Sequence, residues 1–318
     1  MHSHEASFTV MHTILACKAY GRRPEAALEA AYAEVRRLEL LFSRFLAESE
    51  VCGINERAGK ALVAVSPDTM HVLKEAIAAG RRSEGLFDVT IAPLMNLWDF
   101  THASASPSQA AIDSVLPLVD YRQVVVDEKT GRAGLGKPGM VLDLGGLAKG
   151  YAADRAKQVL LDWDIQSAYI NLGGNVVLVG AKPDGSAWKV GIRHPRIPNA
   201  LVGAISAEGS SVVTSGDYER FFIDEQGERQ HHIVDPRTGR PSRSGLVSLT
   251  VACPQSLQAD VLSTTCFLGG LEGCKKLLAD LPEVGVFAID DNLRGWITES
   301  LVPSFQPVTG LDISLLTL

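Results

Sequence analysis

Between residues 168 and 252 no stretch of this chain keeps one conformation for long. Seven short apolar runs, Ala168 to Leu172, Val176 to Val179, Trp188 to Ile192, Leu201 to Ser206, Ser210 to Thr214, Phe221 to Ile223 and Leu246 to Ala252, are each broken by Gly, Pro, Asn or Asp. That punctuation suits strands that pair antiparallel with their neighbours. On either side the apolar period lengthens to that of helices: Pro24 to Phe42, Pro67 to Arg82, Ser108 to Leu116, Gly145 to Trp163, Ser256 to Leu268 and Glu272 to Leu281. Pro24 stands near a helix start, where its missing N–H costs little. Phe8 to Cys17, Tyr121 to Val126 and Met140 to Leu144 read as further strands, and Val284 to Ile289 with Gly295 to Thr298 as a last hairpin. Strands and helices that segregate in this way predict the α+β class. With no repeat or linker, residues 1–318 read as one unit, a helix-rich subregion 20–120 packed on a β-rich subregion 121–318.

Charge and cysteine content narrow the function classes. A net charge of −7 over 318 residues argues against a nucleic-acid binder, whose affinity comes from Lys and Arg on phosphates. The five cysteines, Cys17, Cys52, Cys253, Cys266 and Cys274, form no C-x-x-C pair and read as small reduced hydrophobes. No apolar run approaches the ~20 residues of a membrane helix. The start, Met1 to Ser7, lacks a basic segment followed by an apolar one. A cytoplasmic location is expected for the chain as written, and a periplasmic one if a leader has been removed.

Four short segments concentrate chemistry: Ser83 to Asp88, Asp143 to Gly150, His232 to Pro236 and Ala259 to Thr264. Asp260 and Thr264, four apart in a predicted helix, fall on one face, where a carboxylate and a hydroxyl make a hard oxygen site suited to Mg²⁺. The same two residues are also explained by the helix dipole and by a threonine bonding back to a carbonyl. Asp143 to Gly150 leaves a strand, turns on two glycines and opens a helix with Lys149 in its first turns. That offers amides and a cation to an anion, or is a plain turn with a solvated lysine. His232 falls in a predicted strand that ends at Asp235-Pro236, where it serves as a base near neutral pH or simply packs; His231, on the opposite face, is its internal control. Asn171 to Asn175 and Thr214 to Asp217 are small polar turns with glycine, open to the same two readings. Gly134-Leu135-Gly136-Lys137-Pro138-Gly139 satisfies G-x-G-x-x-G by letter, yet Pro138 interrupts it and a strand is expected after it, so it is set aside as a dinucleotide fingerprint.

Taken in order, these segments resemble the ApbE family of FAD:protein FMN transferases. The matches run from Met11-His12-Thr13 through Phe42-Ser43-Arg44-Phe45 with Asn55, Gly85 to Thr90 with Pro93, Leu94 and Trp98, and Asp143 to Asp154. They continue through Asn171 to Gly174, Thr214 to Tyr218, His232 to Gly239 and Ala259 to Thr264. The resemblance implies an ApbE-like fold, a largely antiparallel sheet with flanking helices and an FAD cleft between the subregions. It implies FAD as substrate, with Mg²⁺ on its diphosphate held by the Asp260 carboxylate, the Thr264 hydroxyl and the Gly146 carbonyl. Met11, Phe45, Leu86, Phe87, Asp88, Asp143 and Lys149 fall on the family's flavin-nucleotide contacts, and His232 on its proposed base. It also implies a partner, a target flavoprotein whose Thr or Ser hydroxyl receives FMN as AMP departs. Hydrolysis of FAD to FMN and AMP, and a non-catalytic FAD-binding protein, are the alternatives. The chain departs from the family pattern at His12, where glycine is usual, at Phe45, where many members have tyrosine, and in showing no lipobox cysteine.

Overall fold

The computed structural model describes residues 2–308 and 310–318. The chain opens with strands β1 (His2–Val10) and β2 (Thr13–Gly21), then helices α1 (Pro24–Phe42) and α2 (Glu50–Glu56), strand β3 (Val63–Ala64), and helices α3 (Pro67–Arg82), α4 (Ala92–Trp98) and α5 (Gln109–Val115). Strands β4 (Val124–Asp127) and β5 (Arg132–Leu135) lead to helix α6 (Ala148–Asp162). There follow β6 (Ser167–Leu172), β7 (Asn175–Val179), β8 (Trp188–Arg193), β9 (Leu201–Ala207), β10 (Ser211–Gly216), β11 (Phe221–Ile223), β12 (Arg229–His231), β13 (Val234–Asp235), β14 (Arg240–Pro241) and β15 (Leu246–Cys253). Helix α7 (Ser256–Leu278) precedes β16 (Gly285–Asp290), β17 (Gly295–Ile297), β18 (Phe305–Pro307) and β19 (Ile313–Leu315).

A nine-stranded sheet, ordered β1-β2-β6-β7-β10-β15-β16-β17-β19, forms the centre. Its pairings are antiparallel except for β17 with β19. Helices α1, α6 and α7 lie across one face. Leu28, Ala31, Val35 and Leu38 recur at helical spacing along α1 and bury against that face, with Ser66 and Ser49 capping α3 and α2 through their hydroxyls. On the other face, the small sheet β18-β9-β8 covers the middle strands through Ile192, Val202 and Ile205. β16 is therefore apolar on both faces, Val286 and Ala288 on one and Phe287 and Ile289 on the other, whereas β15, buried on both, is apolar toward α7 and carries Ser248 and Thr250 on its other face. A bulge between Leu246 and Ser248 turns Val247 toward the small sheet while Leu246 and Leu249 face α7.

The α+β class stands, and several element assignments change. Phe8 to Cys17 is not one strand but the two arms of a hairpin, because Met11 (φ 52°) and His12 (φ 56°) both adopt left-handed backbone and reverse the chain. Tyr121–Gln123 is a short 3-10 turn ahead of β4. Met140 to Leu144 is extended but pairs only through a single bridge, Val141 to Ile91, so it forms no strand. His232 lies outside the strands, in the bend between β12 and β13. The two helices expected after Ser256 are both present; they follow one another without a gap as α7 and are separated by a kink at Gly270, whose φ 65° and ψ −170° are not helical. Residues 2–21 belong to the central sheet, and α2 and α4, seven residues each, were too short to read by period.

Candidate active site

Helices α6 and α7 meet so closely that side chain gives way to backbone. A Cβ at Gly150 would stand 2.5 Å from the Ser256 carbonyl oxygen and 2.7 Å from Leu257 Cα, so only glycine fits that crossing. Two carboxylates lock it. Asp154 of α6 accepts from the Ser256 and Leu257 amides at 2.8 and 2.9 Å, satisfying the first turn of α7. Asp260 of α7 returns the favour, its Oδ2 accepting from the Gly150 amide at 2.9 Å.

That second bond sets up the site. In a regular helix start, the Gly150 amide would donate to the Gly146 carbonyl four residues back, as the Tyr151 amide does to Leu147 at 3.0 Å. Diverted to Asp260, it leaves the Gly146 carbonyl without an amide donor among the described residues. Thr264 lies one turn beyond Asp260 on α7, half-buried, and among the described residues its hydroxyl has no hydrogen-bond partner. The neighbouring Thr265 hydroxyl, by contrast, bonds back to Val261 at 2.9 Å. Lys149 Nζ donates to the Gly145 carbonyl at 2.9 Å and stands 4.0 Å from Asp260 Oδ2. Burial pushes the Asp260 carboxyl above the usual carboxylate range, offset in part by Lys149 and the Gly150 amide. Asn175 sits close enough to favour the ionised form too, and its buried Nδ2 has no partner within hydrogen-bond geometry.

An unpaired carbonyl one turn before Gly150, a buried carboxylate bonded to the Gly150 amide and an unpaired hydroxyl one turn further along α7 thus flank one helix crossing. The donors are oxygen throughout, and no group of three His, Cys, Asp or Glu side chains gathers among the described residues. Such a set fits a hard divalent cation whose remaining positions are filled by phosphate or water, and does not fit Zn²⁺.

Around this centre the other predicted residues divide. The Phe87 ring lies against Gly146, where a Cβ would come within 3.1 Å of it, and Leu86 is buried near α7, against Gly269. Asp143 Oδ1 accepts from the Gly145 amide at 2.8 Å and Oδ2 lies 2.9 Å from Arg44 Nε, which holds the turn before α6. Arg44 also covers one face of Phe45, 4.4 Å from the ring centroid, while His12 meets Phe45 edge-on at 5.1 Å. Phe45 remains 64% exposed, a ring face open to a planar ligand. Met11 is carried beside it by the hairpin turn, its amide donating to Glu39 Oε1 at 2.7 Å. Glu39 was not singled out in the sequence; a nearly buried glutamate in the apolar stripe of α1 was the available signal. Asp88 differs from the rest: its oxygens accept from the Thr90 amide and hydroxyl and from the Tyr121 amide, 2.6–2.8 Å, so it is committed to holding its own loop.

His232 is fixed by the carbonyl of Arg220, which accepts from its amide at 3.0 Å and lies 3.3 Å from its Nδ1. A carbonyl only accepts, so Nδ1 carries the proton and Nε2 keeps its lone pair. Among the described residues nothing bonds Nε2. Burial, with the positive charges of Arg220 and Lys149, pushes the imidazole down to about 3 and keeps it neutral. His231 shows the contrast: its Nε2 bonds Ser242 O at 3.1 Å, its Nδ1 accepts from the Ile233 amide at 3.3 Å, and its ring packs edge-on against Phe267. Two hollows lie elsewhere, one of about 270 Å³ beside Cys253 and Glu283 and one of about 420 Å³ beside Leu315 to Leu318.

The model of the ApbE family matches residues 11–288. An FAD:protein FMN transferase of Klebsiella pneumoniae is 40% identical over 256 residues, covering 80% of this chain and 79% of that protein. One from Treponema pallidum is 35% identical over 311 residues, covering 90% and 84%. Among solved structures, the ApbE protein of Thermotoga maritima superposes with a TM-score of 0.87 at 31% identity, over 95% of this chain and 99% of that one. The flavin transferase ApbE of Vibrio cholerae gives 0.85 at 25% identity, over 95% and 99%. With the family model spanning most of its length and the fold shared end to end, this chain belongs to the ApbE family.

Proposed function

We propose that this protein transfers the FMN part of FAD onto a Ser or Thr hydroxyl of a target flavoprotein, releasing AMP. The observation that carries this reading is the diverted Gly150 amide, which bonds Asp260, beside Lys149, and leaves the Gly146 carbonyl one turn earlier without an amide donor among the described residues. The names of the Klebsiella and Treponema relatives support it.

Gly146, Asp260 and Thr264 would hold Mg²⁺, which when bound neutralises charge on the non-bridging oxygens of a diphosphate. Lys149 adds a cation on the same side, and Phe45 offers a stacking face to a nucleotide ring. The acceptor oxygen bonds to the FMN-side phosphorus, and the bond from that phosphorus to the AMP oxygen breaks. The hydroxyl proton passes to His232 Nε2, the nitrogen its tautomer leaves free. A base held near 3 is weak, and the negative charge of a bound diphosphate raises it toward the working pH.

The test is incubation with FAD, Mg²⁺ and a panel of flavoprotein domains bearing exposed Ser or Thr, read by intact mass. A domain heavier by one FMN, with one AMP released, is the expected result. AMP and free FMN with no adduct would replace transfer by hydrolysis, and FAD retained intact would make the protein a carrier.

A further inference from the structure

Transfer to a protein requires a surface where that protein's chain can reach His232, and the ribbon β11–β12 has one free side. Arg220 pairs with His232, and the Asp224 amide donates to Glu228 O at 3.0 Å, so hydrogen-bonded pairs fall on the even residues of β11 and its flanks. Phe221 and Ile223, paired with His231 and Arg229, are the non-hydrogen-bonded positions, and their amides and carbonyls point away from β12. Among the described residues none of these four groups has a partner. The same two residues expose apolar side chains, Phe221 at 37% and Ile223 at 51%, with the Arg229 guanidinium 3.7 Å from the Phe221 ring centroid. An unpaired strand edge with apolar side chains is a template for another strand, which proteins otherwise cover or blunt.

The edge is in register with the chemistry. The carbonyl that orients His232 belongs to Arg220, the residue before β11, and the imidazole leans across toward it. A strand added to β11 would lie about 4.8 Å from that backbone and two such spacings from the His232 backbone, so the imidazole that leans toward Arg220 and the acceptor side chain would meet across β11. We propose that the acceptor segment of the target flavoprotein binds as an extended strand on the free edge of β11, exchanging backbone hydrogen bonds with Phe221 and Ile223 and presenting its hydroxyl toward His232. This rests on the transfer activity proposed above. Affinity then comes from main chain, and selectivity from the side chains that meet Phe221, Ile223 and Arg229.

Proline at 223 tests this selectively. Ile223→Pro removes an outward amide and no bond of the β11–β12 ladder, a position an edge strand tolerates. The probe is the domain that gains FMN in the intact-mass assay. Ile223→Pro should leave FAD affinity and the melting temperature near wild type while raising KM for that domain at least about tenfold. Ile223→Ser, which keeps the amide, should raise KM less. In the wild type with FAD bound, exchange of the Phe221 and Ile223 amides should slow when the domain is added. Unchanged KM in Ile223→Pro, or unprotected amides at 221 and 223 in a complex that turns over, would overturn the inference and leave the activity standing. A wild type that modifies no domain fails at the earlier step, and both readings fall with it.

Discussion

Asp260 carries opposite consequences for stability and for function. Its carboxyl is raised, so the folded protein holds a proton that the unfolded chain has released, and stability falls as pH rises from the ordinary carboxylate range toward the folded value. Asp260→Asn keeps an oxygen to accept from Gly150. It should hold or raise the melting temperature of the metal-free protein, while the stabilisation given by added Mg²⁺ disappears; thermal melts with and without Mg²⁺ check both. His231 and His232 work in the other direction. Both are lowered, so the unfolded chain binds their protons first, and stability is lost as pH falls from about 6.5 toward the folded values, about 3 for His232. His232→Gln should flatten the loss of melting temperature over that window, measured across a pH series. His232→Ala should slow transfer by roughly 10²–10⁴-fold with FAD affinity nearly unchanged, as removal of a general base does. The chemistry at Asp260 and Thr264 was legible as a spacing of four. What the spacing does not show is the Gly150 amide that Asp260 accepts from, a partner in another helix that no local pattern reveals.

The crossing of α6 with α7 is the element on which the site depends. Gly150→Ala places a Cβ against the α7 backbone, an overpacking that costs about 1–3 kcal/mol, and should weaken Mg²⁺ binding by moving Asp260. Denaturant unfolding together with a metal titration measures both. Asp154→Ala uncaps α7 and should cost about 1–2 kcal/mol in the same experiment. Long elements are legible: α1 and α3 begin at Pro24 and Pro67 and span the residues their period predicts, with proline in the first turn of each and the Ser66 hydroxyl capping α3. The hairpin at Met11-His12 is not, since neither residue is the Asn or Gly that such a turn prefers. Its geometry is held from outside, by Glu39 on the Met11 amide and by Phe45 against the His12 ring. Met140 to Leu144 has a strand's composition, but its neighbour 89–91 meets it only at the Val141–Ile91 bridge and where the Asp143 amide donates to Val89 O, and the Asn55 side chain takes both backbone groups of Leu142.

At the scale of the molecule, segments from residue 11 to residue 264 reach one region because the sheet order brings β2 beside β6 and β7 beside β10, with α6 and α7 laid across them. The α+β class was readable from the change of period along the chain, whereas the order of nine strands was not. Non-local pairing leaves no local trace, and the collinear motifs supplied what periodicity lacked. The central claim is that the Gly146 carbonyl, the Asp260 carboxylate and the Thr264 hydroxyl surround one hard cation. Crystals grown with Mn²⁺ and FAD, measured at the manganese absorption edge, test it most directly. An anomalous peak about 2.0–2.3 Å from those three oxygens and beside the diphosphate is the predicted result. A peak elsewhere, or FAD bound in full with no metal between these three residues, would contradict it.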